Sequence, residues 1–108
     1  MLKHLALGRA AFEEAVAYIV ANAKSDAKAV YAGSFAYLRL AGLVLGGWQM
    51  ARSLLAAERL RASDPAFYSA KIATARFFAE NLLPQASALA TSIVESGHST
   101  NALEVEQF

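Results

Sequence analysis

The sequence predicts an all-α protein, an up-down-up antiparallel bundle of three long helices with a short C-terminal helical tail. Three observations carry this. Alanine, the strongest helix former, is abundant from end to end. Apolar residues recur at three- and four-residue steps through three long stretches. The sequence contains only 2 prolines, Pro65 and Pro84, neither of them inside the first two stretches. At 108 residues and 56% hydrophobic, the chain is one domain with enough apolar surface for a core.

The first helix is expected from about Lys3 to Ala23. Leu2, Leu5, Phe12, Val16 and Ile19 share one face, with Gly8 in its gap. Arg9 and Glu13 lie off that face at the spacing of an i,i+4 ion pair. Lys24 complements the helix dipole at the C-terminal end.

Ser25 and Asp26 are cap candidates for a second helix, from Ala27 to Arg61, that would run uninterrupted for roughly 50 Å. Between Ala27 and Ala57 its only charges are Lys28, Arg39 and Arg52. A helix so nearly apolar all round has to be covered on more than one side. Its most polar arc holds Ser34, Arg39, Gln49 and Arg52, yet Phe35, Leu38 and Leu45 share that arc. Those apolar residues either pack on the first helix or meet a surface from outside the chain. Gly42 and Gly46 form a Gly-x-x-x-Gly spacing followed by Gly47. Each glycine costs about 1 kcal/mol against alanine in a helix, which suggests close approach of a backbone or a ring, or else a local bend.

Asp64 and Pro65 open a third helix as N-cap and first residue, and the helix is expected to reach about Glu95. Phe78, Leu82, Leu89 and Ile93 line one side, extended by Ile72, Ala75, Ala79, Leu83 and Ala86. Arg76 and Glu80 again have i,i+4 spacing. Pro84 removes a helix hydrogen bond and predicts a kink, with Asn81 placed to help satisfy the freed backbone. Gly97 reads as the glycine that ends the helix, and the tail from Asn101 offers Leu103 and Phe108 as anchors. A thin bundle of such rods cannot cover two helices this poor in charge, so a docking or oligomer surface is expected, on the preceding domains of a larger chain or on a second copy.

Several function classes have no support in the residues. Ten basic against nine acidic side chains give a net charge of +1, which makes no electrostatic case for nucleic acid or an anionic membrane. The absence of cysteine excludes disulfides, thiolate metal sites and cysteine nucleophiles, and fits a cytoplasmic protein. The apolar run between Arg39 and Arg52 is shorter than the roughly 20 residues a membrane span needs, and no signal peptide is evident behind Met1. Glu13 and Glu14 point about 100° apart on a helix and cannot act as a pair. Glu95 and His98 have the Glu-x-x-His spelling of carboxylate di-iron bundles, but such sites need two of these motifs and two further glutamates. His4 and His98 sit at opposite ends of the chain. No catalytic, metal-binding or cofactor-binding residue is therefore assigned. Trp48, Tyr37, Tyr68, Phe77 and Phe78 recur at helical spacing as core or interface residues, and Tyr37 and Trp48 would need partners for their polar atoms if buried.

Three stretches carry a family resemblance: Ala36-Tyr37-Leu38-Arg39-Leu40-Ala41-Gly42 through Gly47-Trp48, then Phe67-Tyr68-Ser69-Ala70-Lys71-Ile72-Ala73-Thr74-Ala75-Arg76-Phe77, then Glu80-Asn81-Leu82-Leu83-Pro84. Together with the ending Ala102 to Phe108, they make the chain similar to the C-terminal helical domain of large bacterial acyl-CoA dehydrogenases. That group includes enzymes acting on methylthiopropionyl-CoA. The likeness runs from about Gly8 to Phe108. It implies a parent enzyme that uses FAD to oxidise acyl-CoA thioesters to 2-enoyl-CoA with a glutamate as base. No glutamate here matches the base motif, and in the family the flavin site lies in the preceding domains. What transfers is a packing role for Tyr37, Arg39, Trp48, Tyr68, Lys71, Arg76 and Pro84. With the apolar arc, the expected packing or interface set is completed by Phe35, Leu38, Gly42, Leu45, Gly46 and Phe78. The alternative from another class is a free-standing helical dimerisation module.

Overall fold

In a computed structural model that describes residues 1–108, the chain is entirely helical, with six α-helices and one 3-10 turn. α1 spans Leu2–Asn22, α2 Ala27–Ala32, α3 Ser34–Leu60, α4 Pro65–Asn81, α5 Gln85–Glu95 and α6 Gly97–Thr100. The tail adds only the 3-10 turn Val105–Gln107.

The second expected helix is two helices, and Gly33 separates them. Its φ of −87° and ψ of 2° leave the α-helical region at this one residue. Asp26 caps α2 by accepting from the Ala29 N–H at 3.3 Å. Gly33 then caps α3, its carbonyl accepting from Tyr37 N–H at 2.8 Å. The break lets α2 fold against α6, and a Cβ at Gly33 would already lie 3.4 Å from Ile93 Cγ2. α3 itself runs unbroken through Gly42, Gly46 and Gly47, about 40 Å at the usual helical rise.

The third expected helix is also divided. Asp64 caps α4 through Phe67 N–H at 3.3 Å, with Pro65 in the first turn. At Leu82–Pro84 the helix stops outright instead of kinking: Leu83 N–H reaches back five residues to Phe78 O, and Ala86 N–H only three, to Leu83 O. Asn81 does not serve the freed backbone, because its amide donates to Phe77 O at 3.0 Å. Gln85 serves the next carbonyl along, its side chain donating to Asn81 O at 3.2 Å.

Gly97 opens α6 and does not end α5, and no residue of the chain has a positive φ. It is a close-approach glycine: a Cβ there would lie 2.8 Å from Ala29 Cβ and 3.0 Å from Ala29 O. The tail residues are not anchors either, since Leu103 and Phe108 are exposed, Phe108 at 93%.

The core is narrow and small-residue. Ala11 and Ala15 from α1, Leu40 and Val44 from α3, and Ala86, Ala90 and Ile93 from α5 form it, with Phe12, Tyr37 and Leu89 half-buried against it. Only Leu40, Leu83 and Ile93 are large and fully buried. Alanine at so many contacts brings the helix axes close but buries little area per residue. Contacts between the arms run in opposite order along the chain: Gly8 meets Val44 while Phe12 meets Tyr37, and Gly46 meets Phe78 while Gly33 meets Ile93. The result measures 64 × 28 × 16 Å, with a radius of gyration of 18.0 Å. A compact domain of this length has a radius near 13 Å. A slab 16 Å thick is less than two helix diameters deep, so its helices keep an open side.

Candidate interaction surface

The two sides of α3 have opposite fates. Inward, Leu40, Val44, Gly47 and Ala57 are buried. Tyr37 turns the same way and stacks on Phe12 of α1, ring centroids 5.8 Å apart and 22° between planes. A Cβ at Gly47 would sit 2.7 Å from Leu83 Cδ2, and one at Gly46 3.2 Å from Phe78 Cζ. The close approach expected of the glycine run is therefore real at Gly46 and Gly47. It is absent at Gly42, where an added Cβ would meet nothing within 4 Å.

Outward, Phe35 is 78% exposed and Leu38 71%, so neither packs on α1. Leu45, Trp48 and Leu55 are also exposed, and the Arg52 guanidinium lies 5.3 Å from the Trp48 ring centroid. Arg39 donates to Gln85 Oε1 at 3.2 Å, tying the edge of this face to the start of α5. Leu45 and Trp48 also line a groove of about 320 Å³ with Leu5, Arg9 and Val44, between α3 and α1. The face carries two cations, Arg39 and Arg52, and no acid between Ser34 and Arg52.

The remaining expected residues lie elsewhere. Tyr68 is half-buried edge-on to Phe67, with centroids 5.1 Å apart, and Lys71 Nζ lies 5.3 Å from that Phe67 ring. Phe78 is half-buried beneath Gly46. Arg76 and Glu80 line one shallow cavity with Arg61 and Phe77 but form no ion pair. His98 Nε2 is 3.7 Å from Asp26 Oδ2 and does not pair with Glu95. No three His, Asp or Glu side chains come together as a metal site. No buried side-chain polar atom lacks a partner. No helix is long and apolar enough to cross a membrane.

Leu55 was not singled out by the sequence reading, although a signal for it exists. Residues 35, 42 and 49, residues 38, 45 and 52, and residues 48 and 55 are each seven apart. The first two lines are apolar only as far as Leu45, ending in Gln49 and Arg52, and Trp48 and Leu55 form a third line beside them.

A family model described as acetyl-CoA dehydrogenase C-terminal like matches residues 1–104. The chain belongs to that family. In Ruegeria pomeroyi, 3-methylmercaptopropionyl-CoA dehydrogenase is 40% identical over 99 residues, which are 90% of this chain and 17% of the relative. The acyl-CoA dehydrogenase C-terminal-like domain described here thus spans about a sixth of that protein's length. No solved structure matches it.

Proposed function

We propose that this chain is the non-catalytic C-terminal helical domain of a FAD-dependent acyl-CoA dehydrogenase and that it serves packing or assembly. The parent would oxidise an acyl-CoA to the 2-enoyl-CoA, with flavin and catalytic base held by its preceding domains. In this reading α1, α3 and the α4–α5 arm act as one up-down-up unit that presents a face to a neighbour, in the cytoplasm. The observation that carries it is the open face of α3. Exposed phenylalanine, leucine and tryptophan side chains on one arc of a helix, in a domain whose other arc is well packed, mark an interaction surface. Family membership supports a neighbour within an acyl-CoA dehydrogenase-like protein.

The test uses the Ruegeria dehydrogenase as host. Removing its 99 matched residues is expected to reduce assembled, soluble enzyme, and inserting this chain in their place is expected to restore it, with the flavin spectrum retained. The isolated chain is expected to bind no flavin and to pass no electrons from an acyl-CoA to a dye acceptor. Turnover by the isolated chain, or normal assembly of the truncated host, overturns the reading.

A further inference from the structure

We propose that the bend between α2 and α3 is a conformational device: α6 clasps α2 out of line, and release of α6 lets α2 and α3 join as one straight helix. The clasp itself is independent of function, and its bearing on the open face of α3 rests on the assembly role proposed above.

The bend is imposed from outside the segment. A glycine weakens a helix without ending it, and α3 passes unbroken through Gly42 and the pair Gly46–Gly47. Gly33 stands alone, with no proline near it and no positive φ, yet the helix stops there. The break forgoes three hydrogen bonds. In one helix Ser34, Phe35 and Ala36 N–H would donate to Val30, Tyr31 and Ala32 O, and none of these bonds is made. Two substitutes serve those carbonyls in part: Ser34 Oγ donates to Tyr31 O at 2.8 Å, and Gly33 N–H to Val30 O at 3.1 Å.

What holds α2 aside comes from the C-terminal end of the chain. Ile93 lies beside Gly33, and Gly97 brings α6 against Ala29 so closely that a Cβ would be 3.0 Å from the Ala29 carbonyl oxygen. Asn101 closes the clasp, its amide donating to Lys28 O at 3.3 Å and to Gly97 O at 2.9 Å. His98 adds an exposed contact, 3.7 Å from the Asp26 carboxylate that caps α2.

This clasp is weak. α2 and α6 bury one residue each, Ala29 and Gly97, so little apolar surface is lost when they part. The three missing backbone hydrogen bonds are gained when α2 swings into line. Small opposing terms leave two arrangements of one segment close in free energy, and a binding partner can then choose between them. The straight helix, from Ala27 to Leu60, would be about 50 Å long. At 100° per residue Tyr31, already 74% exposed, would fall within an arc of about 80° with Phe35, Leu38 and Leu45. The open face thereby gains a large side chain one turn beyond Phe35. A neighbour that grips the longer face selects the straight form.

The three unbonded amides report the switch. In the unmodified chain Ser34, Phe35 and Ala36 N–H should exchange rapidly with solvent. Gly97→Leu forces α6 off Ala29, because a backbone carbonyl cannot turn aside as a flexible side chain can. It should slow those three exchanges at least tenfold, measured by NMR. Asn101→Ala adds no bulk and should slow them less, in the same direction. The chain has no cysteine, so spin labels at Lys28→Cys and Arg59→Cys, both exposed, measure the bend. The unmodified chain should give a distance shorter than the ~46 Å of a straight helix, and Gly97→Leu should lengthen it to that value. If Gly97→Leu leaves the three amides fast and speeds exchange along α2, then α2 merely unfolds and the inference is overturned. A label distance that Gly97→Leu does not move overturns it too, as does the straight-helix distance in the unmodified chain. A chain that straightens but cannot rescue the truncated Ruegeria enzyme keeps the clasp and sinks the assembly role. Rescue by a chain whose bend neither variant moves does the reverse.

Discussion

Gly42 and Gly47 sit five residues apart on one helix and differ in everything but identity. The space beside Gly47 is occupied by Leu83, so closely that a Cβ there would be 2.7 Å from its nearest methyl. The space beside Gly42 is empty. The same division runs the length of α3, from Leu40, fully buried, to Leu38, largely bare. One side of this helix is explained by the chain that contains it. The other is left largely open by that chain.

Leucine truncation gives the widest contrast. Leu40→Ala should destabilise the monomer by about 2–5 kcal/mol, since it opens a cavity among Ala11, Ala15 and Ala90, which are too small to collapse into it. Leu38→Ala should change monomer stability by no more than about 0.5 kcal/mol, as exposed substitutions do. Denaturant melts at low protein concentration measure both. Comparable losses at the two positions would erase the distinction between the two faces.

The glycines sharpen it. Gly47→Ala gains helix propensity, but its methyl would also stand 3.1 Å from Leu83 Cδ1 and 3.2 Å from Leu83 Cγ. The branch point of a buried side chain cannot swing aside, so overpacking of about 1–3 kcal/mol should exceed the propensity gain and leave the variant less stable. Gly42→Ala has nothing to strike and should stabilise the monomer by about 0.5–1 kcal/mol. Opposite signs from one substitution at two positions of the same helix are the expected outcome. Equal signs in thermal melts would mean that Leu83 moves freely or that Gly42 is less open than it stands here.

Much of this was legible in the residues. The caps at Asp26 and Asp64, the discontinuity at Pro84 and the charge-poor face of α3 all follow from local chemistry. What the sequence concealed were the tertiary choices. Nothing local says that Gly33 must break a helix. It does so because α2 then packs on α6 and Ile93 comes against the glycine. Gly97 has the spelling of a helix terminator, but Ala29 presses against it, and contact across the chain outweighs the local preference. The spacing Gly42–Gly46 suggested a close approach at both residues, whereas the inward side of α3 uses Gly46 and Gly47. The exposed seam was readable in outline, but that α1 leaves Phe35 and Leu38 uncovered depends on where α1 lies, which no spacing within α3 can fix.

The smallest effect concerns the polar contact at the border between the two faces. Arg39 donates to Gln85 Oε1 at 3.2 Å, and Gln85 in turn supports the carbonyl of Asn81 where the helix stops before Pro84. The arginine is exposed, so its hydrogen bond competes with water, and Arg39→Ala should lower monomer stability by only about 0.5 kcal/mol or less. Gln85→Ala removes both bonds and should lower it by about 1 kcal/mol, because the Asn81 carbonyl then depends on solvent alone. Chemical denaturation of the two single variants and the double variant separates the terms. If Arg39→Ala proves the more damaging of the two, the guanidinium is holding α5 against α3, and the border between the faces belongs to the core.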